Sequence, residues 1–501
     1  MADTNKDQNG NGSQPEVKDV LSITQHTVTI DGQTIRYTAT TGTIVLKEES
    51  EKDGEKKGEW EGEKPRATIF FIAYTRDDVD DPGSRPITFS FNGGPGSASV
   101  WMHLGVLGPR RVLTDDTGNL PQPPYRLVEN AYSLLDVSDL VFIDPVSTGY
   151  SRAVSGEKSK RFHGFKKDIE SVGDFIRLYV TRYRRWSSPK FLIGESYGTV
   201  RAGGLSGYLQ ERHGMYLNGI MFVSTILNFI TGEFDPGNIL PYVSFLPTYA
   251  ATAWYHKRLP DDLQGRDLKS LVAEVEEFAL KEYALALLKG AALPEDERAA
   301  IAERLARYTS LAPEYIDRSD LRINDNRFVK ELLRDQRRTI GRLDSRFLGY
   351  DRDAAGEHNE YDPSYAAILG SYAGTFNDYV RSDLNFESDM PYEVLAWEKI
   401  QPWDFSDFEG KYVEVVETLR RAMTNNPWLK IFVANGYYDF ATPYFATLYT
   451  FNHLGIDRSL RDNISMAFYE SGHMMYVHFP SLVKMKADLA AFVRSAIPQD
   501  R

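Results

Sequence analysis

Cysteine is absent from all 501 residues. That absence removes disulfide frameworks, thiolate nucleophiles and cysteine-bound metals from the chemistry open to the chain. Positive charge is also scarce, with 58 Lys and Arg against 71 Asp and Glu and a formal charge of -13. Neutralising phosphates needs clustered cations, so nucleic acid is not an expected partner. Phosphate-binding loops are missing too: no Walker Lys-Ser/Thr pair and no dinucleotide glycine spacing occurs. The longest apolar-leaning run, residues 219–230, falls short of the roughly 18 to 20 residues that cross a bilayer, and no membrane span is expected. The opening MADTNKDQNGNGSQPEVKDV has neither the basic start nor the apolar segment of a secretory signal. Residues 1–22 are therefore expected to form a disordered tail, and a cytoplasmic location is favoured unless a leader was removed.

What is present suits a large soluble protein, since 42% of the residues are hydrophobic and can build a substantial core. HTVTI, Asp31-Gly32 and QTIRYTA read as a β-hairpin around a two-residue turn. Residues 47–65, mixed in charge and rich in glycine, read as a solvated loop. Short apolar runs then recur at Ile87 to Phe91, Leu140 to Ile143, Phe191 to Ile193, Ile220 to Val223 and Ile431 to Val433, as buried strands do. Helix-like stretches from Phe165 to Tyr183 and Tyr197 to Glu211 lie between them. That alternation predicts an α/β fold, a mainly parallel central sheet flanked by helices. From 236 to 390 the strand runs stop. Leu268, Leu271, Val272, Val275, Phe278 and Ala279 repeat at helical spacing, and Pro294 opens a helix carrying Ile301, Leu305 and Tyr308. The expected organisation is a catalytic domain over 23–235 and 391–501, interrupted by a helical cap at 236–390.

The chemistry-bearing motif is Gly194-Glu195-Ser196-Tyr197-Gly198, directly after a strand and before a helix. A G-x-S-x-G sequence there forms a sharp elbow that exposes the serine hydroxyl, and small residues are needed for the backbone to turn. The bland alternative is a glycine-containing turn with no chemistry. Serine needs an adjacent base, and on such a fold the acid and then the histidine follow the nucleophile along the chain. His453, His473 and His478 lie late enough. His453 falls in the helix-like TLYTFNHL, and His478 sits beside Phe479-Pro480. His473, in a Ser-Gly-His loop after the strand-like Ile464 to Tyr469, is the better base. Asp439, in the loop after Trp428 to Val433, is the matching acid, although a turn or helix-cap role beside Thr442-Pro443 would also account for it. Asn92-Gly93-Gly94-Pro95-Gly96-Ser97 ends another strand and could aim backbone N–H groups at an oxyanion, with the N–H of Tyr197 as second donor. This set performs acyl transfer without a metal or organic cofactor, and none is expected.

FNGGPGSAS at 91–99, FIDPVSTGYS at 142–151, GESYG at 194–198, NGYYDFATP at 435–443 and GHM at 472–474 together resemble the serine carboxypeptidase family of the α/β-hydrolase superfamily. The resemblance implies removal of C-terminal residues from peptide substrates through an acyl-enzyme on Ser196. It further implies that Gly94 and Tyr197 supply the oxyanion N–H groups and that Asn92 and Glu195 bind the substrate's terminal carboxylate. For Glu195 the bland reading is a buried structural hydrogen bond. Three departures stand out. Val106 occupies a place where eukaryotic members commonly carry a second Glu, and Ser97 and the lack of cysteine depart from the disulfide-bonded secreted members, fitting a cytoplasmic or bacterial-type relative better. An esterase or acyltransferase using the same triad, and a catalytically silent binding protein, are the competing functions.

Overall fold

The computed structural model describes residues 17–52, 56–115, 119 and 122–498. Strands β1 (Val20–Ile30), β2 (Gln33–Glu51) and β3 (Trp60–Arg76) form an antiparallel meander. Asp31 and Gly32 both have positive φ, the geometry that lets a two-residue turn match strand twist. Two expectations fail here. The strand begins at Val20, and Val20, Leu21 and Ser22 pair with Thr43, Gly42 and Thr41, so the end of the presumed tail is sheet; residues 1–16 lie outside the described residues. The presumed loop at 47–65 is mostly ribbon, with Lys47 opposite Pro65, Glu48 opposite Lys64 and Glu51 opposite Trp60, and residues 53–55 outside the described residues. Its strands project into solvent, so they carry charge on both faces and lack the apolar alternation that would have marked them.

The core strands are β4 (Ile87–Phe91), β5 (Asp139–Ile143), β6 (Lys190–Ser196), β7 (Gly219–Thr225), β8 (Lys430–Gly436) and β9 (Ile464–Tyr469). They run parallel, and the sheet order is β1-β2-β3-β5-β4-β6-β7-β8-β9. Helices α1 (Phe165–Arg182) and α2 (Tyr197–His213) supply the crossovers on either side of β6. Consecutive strand residues enter opposite cores: Ile193, Met221 and Val223 join one apolar cluster, while Leu192, Ile220 and Phe222 join another. Both faces are therefore buried, and this is why these strands read as continuous apolar runs. Their carboxyl ends carry the loops that build the site.

The stretch expected to be one helical cap divides. Helices α3 (Leu240–Tyr255), α4 (Leu268–Phe278) and α5 (Glu295–Thr309) form a third cluster, which also takes in Tyr438, Phe440 and Tyr444 beyond β8. Tyr249 stacks on Phe328 with centroids 4.2 Å apart and on Phe440 at 5.4 Å. Helix α6 (Pro363–Ser382) instead sends Ile368, Tyr372 and Phe376 into the main core. Two-residue strands, Thr339–Ile340 and Leu348–Gly349, also pair inside this stretch; they are too short for a periodicity to reveal. Among the described residues, no helix is long and apolar enough to cross a membrane.

Candidate active site

Strand β6 ends on Ser196 and α2 begins on Tyr197. Ser196 has φ 60° and ψ -128°, a conformation rare for a residue with a side chain. The turn closes only because Gly194 lacks one: a Cβ there would lie 2.1 Å from the Gly198 carbonyl oxygen. The Asn92–Gly96 loop rests against this elbow, and a Cβ on Gly93 would meet the Tyr197 amide nitrogen at 2.5 Å. Beneath the loop, Arg201 on α2 pairs with Asp168 on α1 at 2.8 Å and donates to the Asn92 carbonyl at 2.6 Å. Both charged side chains are almost wholly buried, and the guanidinium faces the Phe91 and Tyr197 rings. The loop is thus fixed from above by backbone contact and from below by a desolvated ion pair.

His473 and Asp439 come together as the sequence predicts, with Nδ1 2.8 Å from Oδ2. Asp439 also holds its own turn. Its Oδ1 accepts the N–H groups of Ala441 and Thr442 at 2.8 and 3.0 Å, and its Oδ2 accepts the Thr442 hydroxyl at 2.7 Å. The turn role and the histidine-facing role therefore coexist in one carboxylate. Burial disfavours the His473 cation, but the charge and hydrogen bond of Asp439, with Glu195 behind them, keep its pKa above the usual histidine value.

The backbone of this histidine is gripped from far away in sequence. Its N–H donates to the Leu343 carbonyl at 2.6 Å, its carbonyl accepts the Ser224 hydroxyl at 2.6 Å, and the Gly472 N–H donates to Asp344 at 2.9 Å. Asp344 in turn pairs with Arg346 at 2.6 Å, both nearly buried. Leu343, Asp344, Arg346 and Ser224 were not legible as site residues, because no local pattern links them to a loop more than a hundred residues away. The two rejected histidines lie apart. His453 is exposed at the end of helix α7 (Tyr444–Asn452), with Nδ1 on the Tyr449 carbonyl, and His478 precedes helix α8 (Phe479–Ser495), with Nδ1 against the Ser481 hydroxyl.

Asn92, Glu195, Ser196, Tyr197 and His473 share a cleft of about 660 Å³. Trp101 and Tyr365 line it, as do Phe229, Trp403 and Phe405. Glu195 is buried; its Oε1 accepts Asn92 Nδ2 at 3.0 Å and its Oε2 accepts the Tyr476 hydroxyl at 2.6 Å. Burial pushes its pKa up to about 7 against the opposing pull of His473 and these two donors. Tyr476 had not been singled out in the sequence. Val106 is buried within the π-helical turn His103–Leu107 and offers the site no polar group.

Residues 60–228 match the serine carboxypeptidase family model. The resemblance read from the motifs is thereby borne out. The matched segment holds Asn92, Gly94, Glu195, Ser196 and Tyr197, while Asp439 and His473 lie beyond it. Among curated relatives, serine carboxypeptidase-like 33 of Arabidopsis thaliana is 27% identical over 196 residues, 37% of this chain and 36% of that protein. The pheromone-processing carboxypeptidase KEX1 of Saccharomyces cerevisiae is 32% identical over 135 residues, 26% of this chain and 17% of that protein. The matched stretches thus span little more than a third of these relatives at most. The crystal structure of the yeast KEX1 prohormone-processing carboxypeptidase superposes over 92% of both chains with a TM-score of 0.52 at 15% identity, a likeness of fold. Among the described residues no group of three or more His, Asp or Glu could hold a metal ion.

Proposed function

We propose that the protein is a serine-type carboxypeptidase that releases C-terminal residues from peptides through an acyl-enzyme on Ser196. In this reading His473 takes the hydroxyl proton as Ser196 attacks the scissile carbonyl, and Asp439 fixes the Nδ1–H tautomer and stabilises the imidazolium. The N–H groups of Gly94 and Tyr197 receive the oxyanion. His473 then protonates the departing amine, and water attacks the acyl-enzyme with the same base. Asn92 and Glu195 bind the terminal carboxylate.

The observation that carries the reading is Glu195, a buried carboxyl beside the nucleophile with its pKa near 7. Two carboxylates in one desolvated site repel unless they share a proton. Below about pH 7 Glu195 carries that proton and favours a peptide with a free C-terminus; above it, the two charges oppose. His473 must be neutral to act, so activity falls on the acid side of its own raised pKa. The test is release of the amino acid from N-blocked dipeptides, and of the amino-acid amide from their C-terminal amides, by the wild type and Ser196→Ala, across pH 4 to 8. The expected outcome is release by the wild type with a preference for the free acid that fades as pH rises, and a loss of about 10⁶-fold in Ser196→Ala. Equal cleavage of acid and amide would remove the terminal-carboxylate role and favour an esterase or acyltransferase. Failure of a fluorophosphonate to label Ser196 would favour a silent binding protein.

A further inference from the structure

Glu195 is gripped by both oxygens, and one grip comes from an unexpected place. Asn92, on the loop after β4, satisfies Oε1. Oε2 is satisfied by Tyr476, three residues beyond His473. The phenol reaches it because position 105 is glycine: a Cβ there would stand 2.3 Å from the Tyr476 ring and 3.1 Å from the Tyr372 hydroxyl. Its neighbour Val106 is buried in the same apolar cluster as Tyr476. A side chain at 105 and the phenol at 476 exclude each other, so the room left on one element is filled by a donor from another.

We propose that Tyr476 is the positioning residue of the terminal-carboxylate site, holding Glu195 by its second oxygen beside the nucleophile. This rests on the carboxypeptidase reading. The groups facing Glu195 are His473 with Asp439 behind it, Asn92, Tyr476 and Tyr372 from α6. Of these, Asn92 and Tyr476 donate to the carboxylate oxygens, and a donor favours the ionised form. The phenol is itself buried against a carboxylate, which pushes its pKa well above the usual tyrosine value, so it remains a donor wherever the enzyme works. Tyr476 therefore sets how far up the pH scale Glu195 stays protonated.

Tyr476→Phe keeps the ring and removes the donor. KM is measured from pH 4 to 9 for an N-blocked dipeptide and for its C-terminal amide, beside the wild type. The pH at which KM for the free acid begins to climb is expected to rise by about one unit, because a hydrogen bond to a charged group is worth about that much. The amide's KM profile is expected to stay where it was, since the amide makes no use of the carboxylate site. An unmoved midpoint, or equal changes for acid and amide, would overturn the proposal, since general loosening of the site acts on both substrates. Should Tyr476→Phe not fold, 3-fluorotyrosine at position 476 supplies a stronger donor and should move the midpoint down; no movement overturns the proposal equally. A wild type that does not distinguish acid from amide sinks the carboxypeptidase reading first and this inference with it.

Discussion

Ser196 and His473 line one cleft, yet the backbones that hold them are built differently. Ser196 is placed by its immediate surroundings: a strand end, a helix start, and close backbone approaches at Gly194 and Gly93 that no side chain could share. His473 hangs on a loop whose hydrogen bonds run to Leu343, Asp344 and Ser224. The position of Ser196 follows mainly from the strand-to-helix turn that contains it, with the Gly93 loop packed against it; the position of His473 follows from how a distant segment docks. Each side has a buried ion pair, but in a different place: Arg201 and Asp168 support the Asn92 loop that rests on an elbow already fixed by tight backbone packing, whereas Asp344, paired with Arg346, itself binds the loop that carries His473.

Substitutions on each side should separate these two modes. Gly93→Ala forces a methyl group against the Tyr197 amide at 2.5 Å and the Ser196 Cβ at 2.9 Å, so the oxyanion loop must shift away from the elbow. The expected loss is about 10²- to 10³-fold in kcat, the usual cost of a displaced oxyanion donor, with a loss of about 1 to 3 kcal/mol in stability from overpacking, smaller than that expected of Asp344→Ala. Retained activity would mean that the loop can move without carrying its donors away. Asp344→Ala should show the complementary pattern. It removes the acceptor of the Gly472 N–H and leaves Arg346 buried and unpaired, with an expected cost of about 3 to 5 kcal/mol of stability by chemical denaturation. Activity in the folded fraction should fall about 10²-fold, because a small misplacement of the base is enough to break alignment. Unchanged stability would show that water reaches Arg346 and satisfies it.

The same contrast explains what could be read in advance. The strands around β6 were legible because both faces are buried and the apolar runs are unbroken. The elbow was legible because its requirement for glycine is written within five residues. Asp439 and His473 could be found by order along the chain and by their positions after β8 and β9, although neither motif says what grips them. Leu343 and Asp344 carried no signal: an aspartate that binds a backbone N–H more than a hundred residues away looks, in sequence, like any loop aspartate. The projecting ribbon at 47–65 was misread for a related reason, since strands wet on both faces lose the alternation that burial imposes. Helix α6 was assigned to the cap because it lies within 236–390, where the strand runs stop, and the lack of a strand pattern does not say which core a helix packs against.

The smallest expected effect joins the two sides, because Glu195 sits next to Ser196 in sequence and acts electrically on His473. Its negative charge favours the imidazolium and contributes to the raised histidine pKa. In Glu195→Gln that contribution disappears, so His473 loses its proton at lower pH and the acid limb of kcat, followed on an amidated substrate that makes no use of the carboxylate site, should move toward acid. For free-acid peptides the sign at the other end is opposite. Glutamine cannot ionise, so the rise of KM that the wild type shows above about pH 7 should flatten, with kcat/KM at the optimum changed about tenfold or less, the scale of one exchanged hydrogen bond. An acid limb that stays fixed while the KM profile flattens would mean that Glu195 is already protonated, and so without charge, where His473 titrates. A KM profile that keeps its wild-type slope would place the titrating group elsewhere in the cleft and leave Glu195 as a structural hydrogen-bond partner of Asn92 and Tyr476.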